Sequence, residues 1–241
     1  MIELKEISKT IGGQELITEV NLMLEPGSVA GIAGENGSGK TTLLNIITGV
    51  VTPDSGDVLL KNKNVTNEST RFRAELGLGR VFQHTRIFRY MSVMNNLLAS
   101  VRFHPGESAF NCLFKPQKVS VFEKASRERA MDILKRLQLQ DKITEKAVTL
   151  SFGQQRLLSL GMALMNRPDI LLLDEPFSGL SPQITDQMIK AIRMISGDKK
   201  TILIIEHDKE ILKKLCSDLF LLKDGSLVSI QNQISKSVVV S

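Results

Sequence analysis

The eight residues Gly34–Thr41, GENGSGKT, constrain the fold of this chain more tightly than any other segment. They fit the pattern G-x-x-x-x-G-K-[ST], a glycine-rich loop whose backbone N–H groups turn inward on phosphate oxygens. Gly34, Gly37 and Gly39 allow turns that a side chain would forbid. Such a loop requires a strand before it and a helix after it. Val29–Ile32 is an apolar run of strand length, and Thr41–Thr48 reads as a helix whose N-terminal dipole favours an anion. The expectation is therefore a phosphate cradle built from Gly34, Glu35, Asn36, Gly37, Ser38, Gly39, Lys40, Thr41 and Thr42. Within it Lys40 reaches the β- and γ-phosphates of ATP, and the Thr41 hydroxyl ligates Mg²⁺.

A second half of the site is expected far along the chain. Ile170–Leu173 is a four-residue apolar run suited to a strand covered on both faces. Asp174 and Glu175 follow where that strand leaves the carboxyl edge of the sheet, the usual ligand edge of open α/β folds. Asp174 is the expected Mg²⁺ partner, through water, and Glu175 the general base for an attacking water. By themselves, two acids after an apolar run equally describe a solvated strand end. His207 closes a second strand-like run, Thr201–Ile205. It is either a structural histidine or a contact to the transferred phosphoryl group.

The rest of the chain divides by its hydrophobic period. Met1–Leu24 carries short alternating stretches suited to antiparallel strands, and Thr52–Gly56 is a turn cluster before the strand-like Asp57–Leu60. From about Thr85 to Asn166 the period becomes helical, with Ala130, Ile133, Leu134 and Leu137 on one face. Strand signals return at Ile170, Thr201 and Leu219, and Ile184, Met188, Ile192 and Ile195 mark a helix between the first two. Alternating strands and helices predict a mainly parallel sheet. The fold class is thus α/β: a phosphate-loop NTPase core, an N-terminal antiparallel β subdomain and an inserted helical subdomain. The boundaries are 1–84 and 167–241 for the core and about 85–166 for the insert. No internal repeat is present, so the chain holds one such unit.

Composition narrows the function classes. With 42% hydrophobic and 24% charged residues the chain reads as an ordinary globular protein, and no apolar run approaches the ~20 residues that span a bilayer. The N-terminus has no signal-peptide pattern, and the short C-terminal SKSVVVS sets the expectation of no added regulatory domain. Cys112 and Cys216 form no disulfide or zinc pattern, which fits a reducing compartment. The net charge of +5 is spread along the chain, a solvated surface before it is a membrane-binding one. One Tyr, no Trp and no dense basic tract argue against nucleic-acid binding.

Six segments in fixed order carry a resemblance: GENGSGKT, Gln83, LSFGQQ at Leu150–Gln155, ILLLDEP at Ile170–Pro176, SGLSP at Ser178–Pro182, and His207. Over about residues 1–230 the chain resembles the nucleotide-binding subunit of an ATP-binding cassette (ABC) transporter. LSFGQQ corresponds to that family's signature loop, usually LSGGQ. The resemblance implies two subunits clamping two ATP molecules head to tail, with Ser151, Gly153 and Gln154 of one copy holding the γ-phosphate on the other. Ser151 precedes an apolar helical stretch, so a helix N-terminus would face that anion. Gln83 resembles the residue that senses Mg²⁺ and the attacking water and links to the membrane partner. The implied partners are integral membrane permease subunits, a second cassette (in a homodimer or a heterodimer) and a substrate-binding protein. The implied location is the cytoplasmic face of the cell membrane. The chain departs from the pattern in three places. Phe152 replaces the signature's second Gly, and Ser181 stands where Asp is usual. Thr10 and Ile11 occupy the stretch that normally supplies an aromatic for adenine, which leaves Ile11 as the base-contact position without its stacking ring.

The segment after Gln83 places Ile87, Phe88, Tyr90, Met91, Val93 and Met94 beside this loop, either as a partner surface or as helical core. FQHTRIF, NNLLAS, the insertion Ala109–Leu137 and the Gly-Gln-Gln of the signature look most like cassettes of branched-chain amino acid importers. The leading expectation is an ATPase powering transport. An exporter or lipid-transport cassette, a soluble cassette acting on ribosomes or DNA, and a small-molecule kinase are the alternatives. The missing second cassette and long coiled-coil insertions weigh against the soluble class, and LSFGQQ weighs against the kinase.

Overall fold

A computed structural model describes residues 1–102, 105–107 and 115–230. Cys112, the first part of the Ala109–Leu137 insertion and the SKSVVVS tail lie outside the described residues. The chain separates into two compact units.

The described residues of the first unit are 1–83, 168–178 and 192–230. Its smaller sheet is antiparallel: β1 (Ile2–Ile11) lies between β2 (Gln14–Leu24) and β4 (Ser55–Leu60), and β5 (Lys63–Asn64) extends the edge. Its larger sheet runs β10 (Ser226–Ser229), β9 (Asp218–Lys223), β3 (Val29–Ala33), β8 (Thr201–Glu206), β7 (Ile170–Asp174) and β6 (Leu78–Val81). There β3 pairs in parallel with β8 and β9, and β8 pairs in parallel with β7. At one edge β6 joins β7 in parallel; at the other, β10 is antiparallel to β9. All five residues of β7 and all six of β8 are buried, as strands covered on both faces must be.

Helix α1 (Lys40–Thr48) follows the phosphate loop, and Leu43, Leu44, Ile46 and Ile47 are all fully buried on it. They share one core with Ile2, Leu4 and Ile7 of β1 and with Ile32, Leu172, Leu203 and Ile205 of the large sheet. Each such side chain contributes roughly 1.5–3 kcal/mol by leaving water, so the helix carrying Lys40 and Thr41 is seated by its own hydrophobic residues. Its C-terminal carbonyls, at Ile46 and Ile47, accept hydrogen bonds from Nη1 of the fully buried Arg73. Arg73 lies on α2 (Thr70–Glu75). Neither this buried cap nor β6 is foreseen above, because Gly77 and Gly79 interrupt the strand pattern and an arginine in a short polar helix looks solvated.

The second unit comprises the described part of 84–167 together with 179–191. It holds α3 (Val93–Ala99), α4 (Pro116–Arg136), α5 (Phe152–Leu164) and the start of α6 (Pro182–Gly197); α7 (Lys209–Leu215) belongs to the first unit. The expected face of α4 is buried: Ala130 and Leu134 are fully enclosed, and Ile133 and the following Leu137 nearly so. Residues 179–191 group here, whereas the expected boundary at 167 assigned them to the core. The reason is side-chain contact. Gln187 Nε2 donates to Leu137 O at 2.7 Å, and Ile184 fills the space beside Gly153 so tightly that a Cβ there would meet its Cγ2 at 2.7 Å.

Candidate functional site

Strand β3 ends at Ala33 and α1 begins at Lys40, so the loop between them lies at the carboxyl end of the parallel strands. Its glycines meet different demands. A Cβ on Gly34 would lie 2.6 Å from Ser38 Oγ and 2.7 Å from Leu222 O. Gly39 sits at φ 96° and a Cβ would come 2.7 Å from Leu16 O. Neither backbone oxygen can yield without moving a strand. Gly34→Ala is expected to weaken ATP binding about tenfold or more, since overpacking of this kind costs roughly 1–3 kcal/mol. Calorimetric titration tests it, and wild-type affinity would show that the loop adapts.

Lys40 is only 4% exposed. Its Nζ donates to Gly34 O at 2.8 Å and to Glu35 O at 2.7 Å, so the ammonium is held against its own loop. Burial lowers its pKa, opposed by the negative charges of Glu175, Asp174 and Glu206. The lysine thus sits in the field of three carboxylates.

At the end of β7, Asp174 is 1% exposed. Its Oδ2 accepts from Arg80 Nη2 at 2.6 Å, while Oδ1 is buried and accepts no hydrogen bond from a described residue. Glu175 is held at φ 45°, a left-handed conformation that costs a non-glycine residue of order 1–3 kcal/mol and clusters at functional sites. Three hydrogen bonds hold the turn. Glu175 N–H donates to Ile205 O at 2.9 Å, Ser178 N–H to Glu175 O at 3.3 Å, and Phe177 N–H to Glu206 Oε1 at 2.8 Å. Gln83 Nε2 donates to Glu175 Oε2 at 2.7 Å, joining two residues 92 positions apart.

Glu206 is fully buried, and burial raises its pKa against the opposing hydrogen bond from Phe177 N–H. Its Oε2 accepts from His207 N–H at 3.3 Å and lies 3.4 Å from His207 Nδ1. One carboxylate therefore ties the turn after Glu175 to the histidine. Sequence reading passes over Glu206 and Arg80; the only signal for either is a charge set inside or at the end of a run that must be buried.

A cleft of about 700 Å³ is lined by Lys40, Thr41, Thr42, Gln83, Glu175 and His207, with Glu35, Asn36, Gly37 and Gly39 from the loop. Gly34 and Ser38 line an adjoining cleft of about 610 Å³, which also holds His207, Lys209 and Leu222. Asp174 lies behind the surface and lines neither. Ile11, at the end of β1, also lines neither and is 46% exposed; Leu16 borders both clefts. The position expected to contact the base is thus set at a hairpin tip, because the Gly12-Gly13 turn comes directly after it.

In the second unit Ser151 is the N-cap of α5. Its Oγ accepts from Gln154 N–H at 3.3 Å, and Gln154 Oε1 accepts from Ser151 N–H at 3.0 Å, a reciprocal capping box. Phe152 is half exposed, with the Arg156 guanidinium 5.2 Å from its ring centre. Side-chain volume at 152 is tolerated because the position points outward, whereas Gly153 has Ile184 against it.

The sequence profile described as "ABC transporter" matches residues 17–178, two thirds of the chain. The chain belongs to the ABC transporter family. Its curated relatives include the high-affinity branched-chain amino acid transport ATP-binding protein LivG of Escherichia coli K12, 31% identical over 94% of this chain and 89% of the relative. The probable LivG of Methanocaldococcus jannaschii is 33% identical over 95% and 88%. A ribose import ATP-binding protein, RbsA of Shouchella clausii, is 31% identical over 95% of this chain but only 44% of its own length. Among solved structures, a nucleotide-free ATP-binding cassette of an ABC transporter superposes with a TM-score of 0.82, at 31% identity, covering 100% of this chain and 95% of that one. A dimeric cassette bound to ADP and Pi gives 0.76 at 25% identity, covering 96% and 99%. The fold is that of the phosphate-loop NTPase cassettes.

Proposed function

We propose that this family member is the ATP-hydrolysing subunit of a branched-chain amino acid importer. The observation that carries the hydrolytic reading is the cleft that gathers Lys40, Thr41, Gln83, Glu175 and His207, with Gln83 bonded to Glu175. Lys40 binds the β- and γ-phosphates of ATP. Glu175 takes the proton of the attacking water, and the Gln83 amide holds that carboxylate in one orientation. His207, anchored by Glu206, donates a hydrogen bond to the γ-phosphoryl group. Catalysis on this reading is positioning and charge stabilisation, with no covalent intermediate.

Thr41 and Gln83 line the cleft and Asp174 lies behind its surface, all three with hard oxygen atoms that suit Mg²⁺, and the buried Asp174 Oδ1 accepts no hydrogen bond from a described residue, a gap that a cation or its water would fill. When bound, Mg²⁺ neutralises charge on the phosphates.

A second cassette completes the site, with Ser151, Gly153 and Gln154 placed on the γ-phosphate held by its partner. The dimeric relative supports this reading, as does a signature loop that presents the start of a 13-residue helix. Ser151→Arg is expected to lower turnover by roughly 10²-fold or more, the loss seen when a transition-state donor is removed. ATP affinity of the isolated monomer stays unchanged. An equal fall in monomer affinity would place the signature loop in its own chain's site.

The amino acid cargo is supported by the LivG relatives, and permease and binding-protein subunits follow from the same likeness. Among the described residues no helix is long and apolar enough to cross a membrane. The RbsA likeness shows that cassette similarity also reaches sugar systems. Proteoliposomes holding this chain with its permease and binding protein are expected to take up radiolabelled leucine, isoleucine and valine on addition of ATP. Uptake of ribose in their place would reassign the cargo, and phosphate transfer to anything but water would reject the ATPase reading.

A further inference from the structure

Arg80 has no part in the reading above, yet it makes the one charged contact to Asp174 among the hydrogen bonds described. Both side chains are almost wholly buried, 6% and 2% exposed. Arg80 is fixed from several directions. Nη1 donates to Asn45 Oδ1 at 2.7 Å and to Thr48 Oγ1 at 3.4 Å, both on α1, and the guanidinium lies 4.6 Å from the centre of the Phe82 ring. A guanidinium held in this way is a permanent charge beside the carboxylate and has no free path away from it. Asp174 Oδ2 is committed to it, and Oδ1 is the buried oxygen without a donor. Leaving such an oxygen unpaired is costly, so the position favours a cation or its water.

We infer that Arg80 neutralises Asp174 and so weakens the hold of this carboxylate on a divalent cation in the absence of nucleotide. The inference rests on the reading of Asp174 as a metal-binding residue. Arg80 cancels the charge of Asp174, and Lys40 offsets part of the charge of Glu175 and Glu206, so a lone cation gains less there than beside an unpaired carboxylate. Triphosphate supplies the missing negative charge and several ligands, the usual way Mg²⁺ is held when few carboxylates are present. Removing the positive charge restores the attraction of a carboxylate in a partly buried setting, where a unit charge a few ångströms away is felt strongly. A purely mechanical brace between β6, β7 and α1 has no such effect on metal binding.

The test titrates the full chain with Mn²⁺ alone, without nucleotide, and follows free Mn²⁺ by electron paramagnetic resonance. Arg80→Met is expected to bind Mn²⁺ at least about tenfold more tightly than the wild type. Arg80→Lys keeps the charge and is expected to match the wild type. Should Arg80→Met fail to fold, Arg80→Gln is neutral and carries the same expectation. Equal nucleotide-free affinity in the wild type and the neutral variant overturns the proposal, and so does a gain in Arg80→Lys as large as that in the neutral variant. Asp174→Asn tests the reading beneath it. A loss of Mn²⁺ binding in the presence of ATP upholds Asp174 as the metal residue even where the Arg80 variants fail. Unchanged Mn²⁺·ATP binding removes that reading and the proposal with it.

Discussion

Glu175→Gln is expected to lower ATP hydrolysis by roughly 10²–10⁴-fold while ATP stays bound, the range by which a positioned general base accelerates a reaction. The amide has nearly the shape of the carboxylate, so the left-handed turn at Glu175 and its backbone bond to Ile205 survive the exchange. Gln83 Nε2 still finds an acceptor when the new amide turns its oxygen to the place that Oε2 holds in Glu175. What is lost is the ability to take a proton from water. With turnover blocked, and with the site closed by a second cassette as proposed, ATP-dependent dimers should accumulate, measured by light scattering after gel filtration with and without ATP and Mg²⁺. A variant that hydrolyses ATP at the wild-type rate would remove Glu175 from the mechanism. A variant that binds ATP and stays monomeric would reject self-pairing and direct the search to a different cassette partner.

Lys40→Ala is expected to act earlier, on binding itself. Hydrogen bonds to a charged group contribute about 1.5–3 kcal/mol each, so loss of the phosphate contact weakens ATP binding by roughly 10- to 150-fold. The substitution also strips Gly34 O and Glu35 O of their donor in the free protein, which loosens the loop before ATP arrives. Isothermal titration of ATP into Lys40→Ala and Glu175→Gln separates the two roles. The first should lose affinity and the second should keep it. Equal affinity in Lys40→Ala and wild type would mean that the backbone cradle alone holds the triphosphate.

These two residues also show why so much of the site is legible in the chain. Lys40 and Glu175 each belong to a short local pattern, a strand followed by a turn with defined chemistry, and such patterns survive in linear order. Ser151 is legible for the same reason: it precedes an apolar helical stretch and marks a helix N-terminus, and the structure adds the capping box with Gln154. The alternation of buried strands with helices likewise predicts the parallel sheet, and β3, β7 and β8 form where continuous apolar runs demand cover on both faces.

Other features have no local signature. Arg80 reads as a polar interruption between Gly79 and Val81, and only its pairing across the sheet to Asp174 and across the core to Asn45 gives it meaning. Glu206 looks like the last residue of a strand until its carboxylate is found between Phe177 N–H and His207. Residues 179–191 follow the Asp174–Glu175 strand in order, yet the contacts of Ile184 and Gln187 assign them to the helical unit.

The division follows from the range of the forces. The sequence by itself determined the phosphate loop, the acidic strand end, the capped signature helix and the class of fold, because backbone sterics, capping and hydrophobic period act over a few residues. Only the tertiary structure decided which buried charges neighbour one another. Arg80 and Asp174 are 94 positions apart and Gln83 and Glu175 are 92, and each pair meets because β6 adds beside β7 in the sheet.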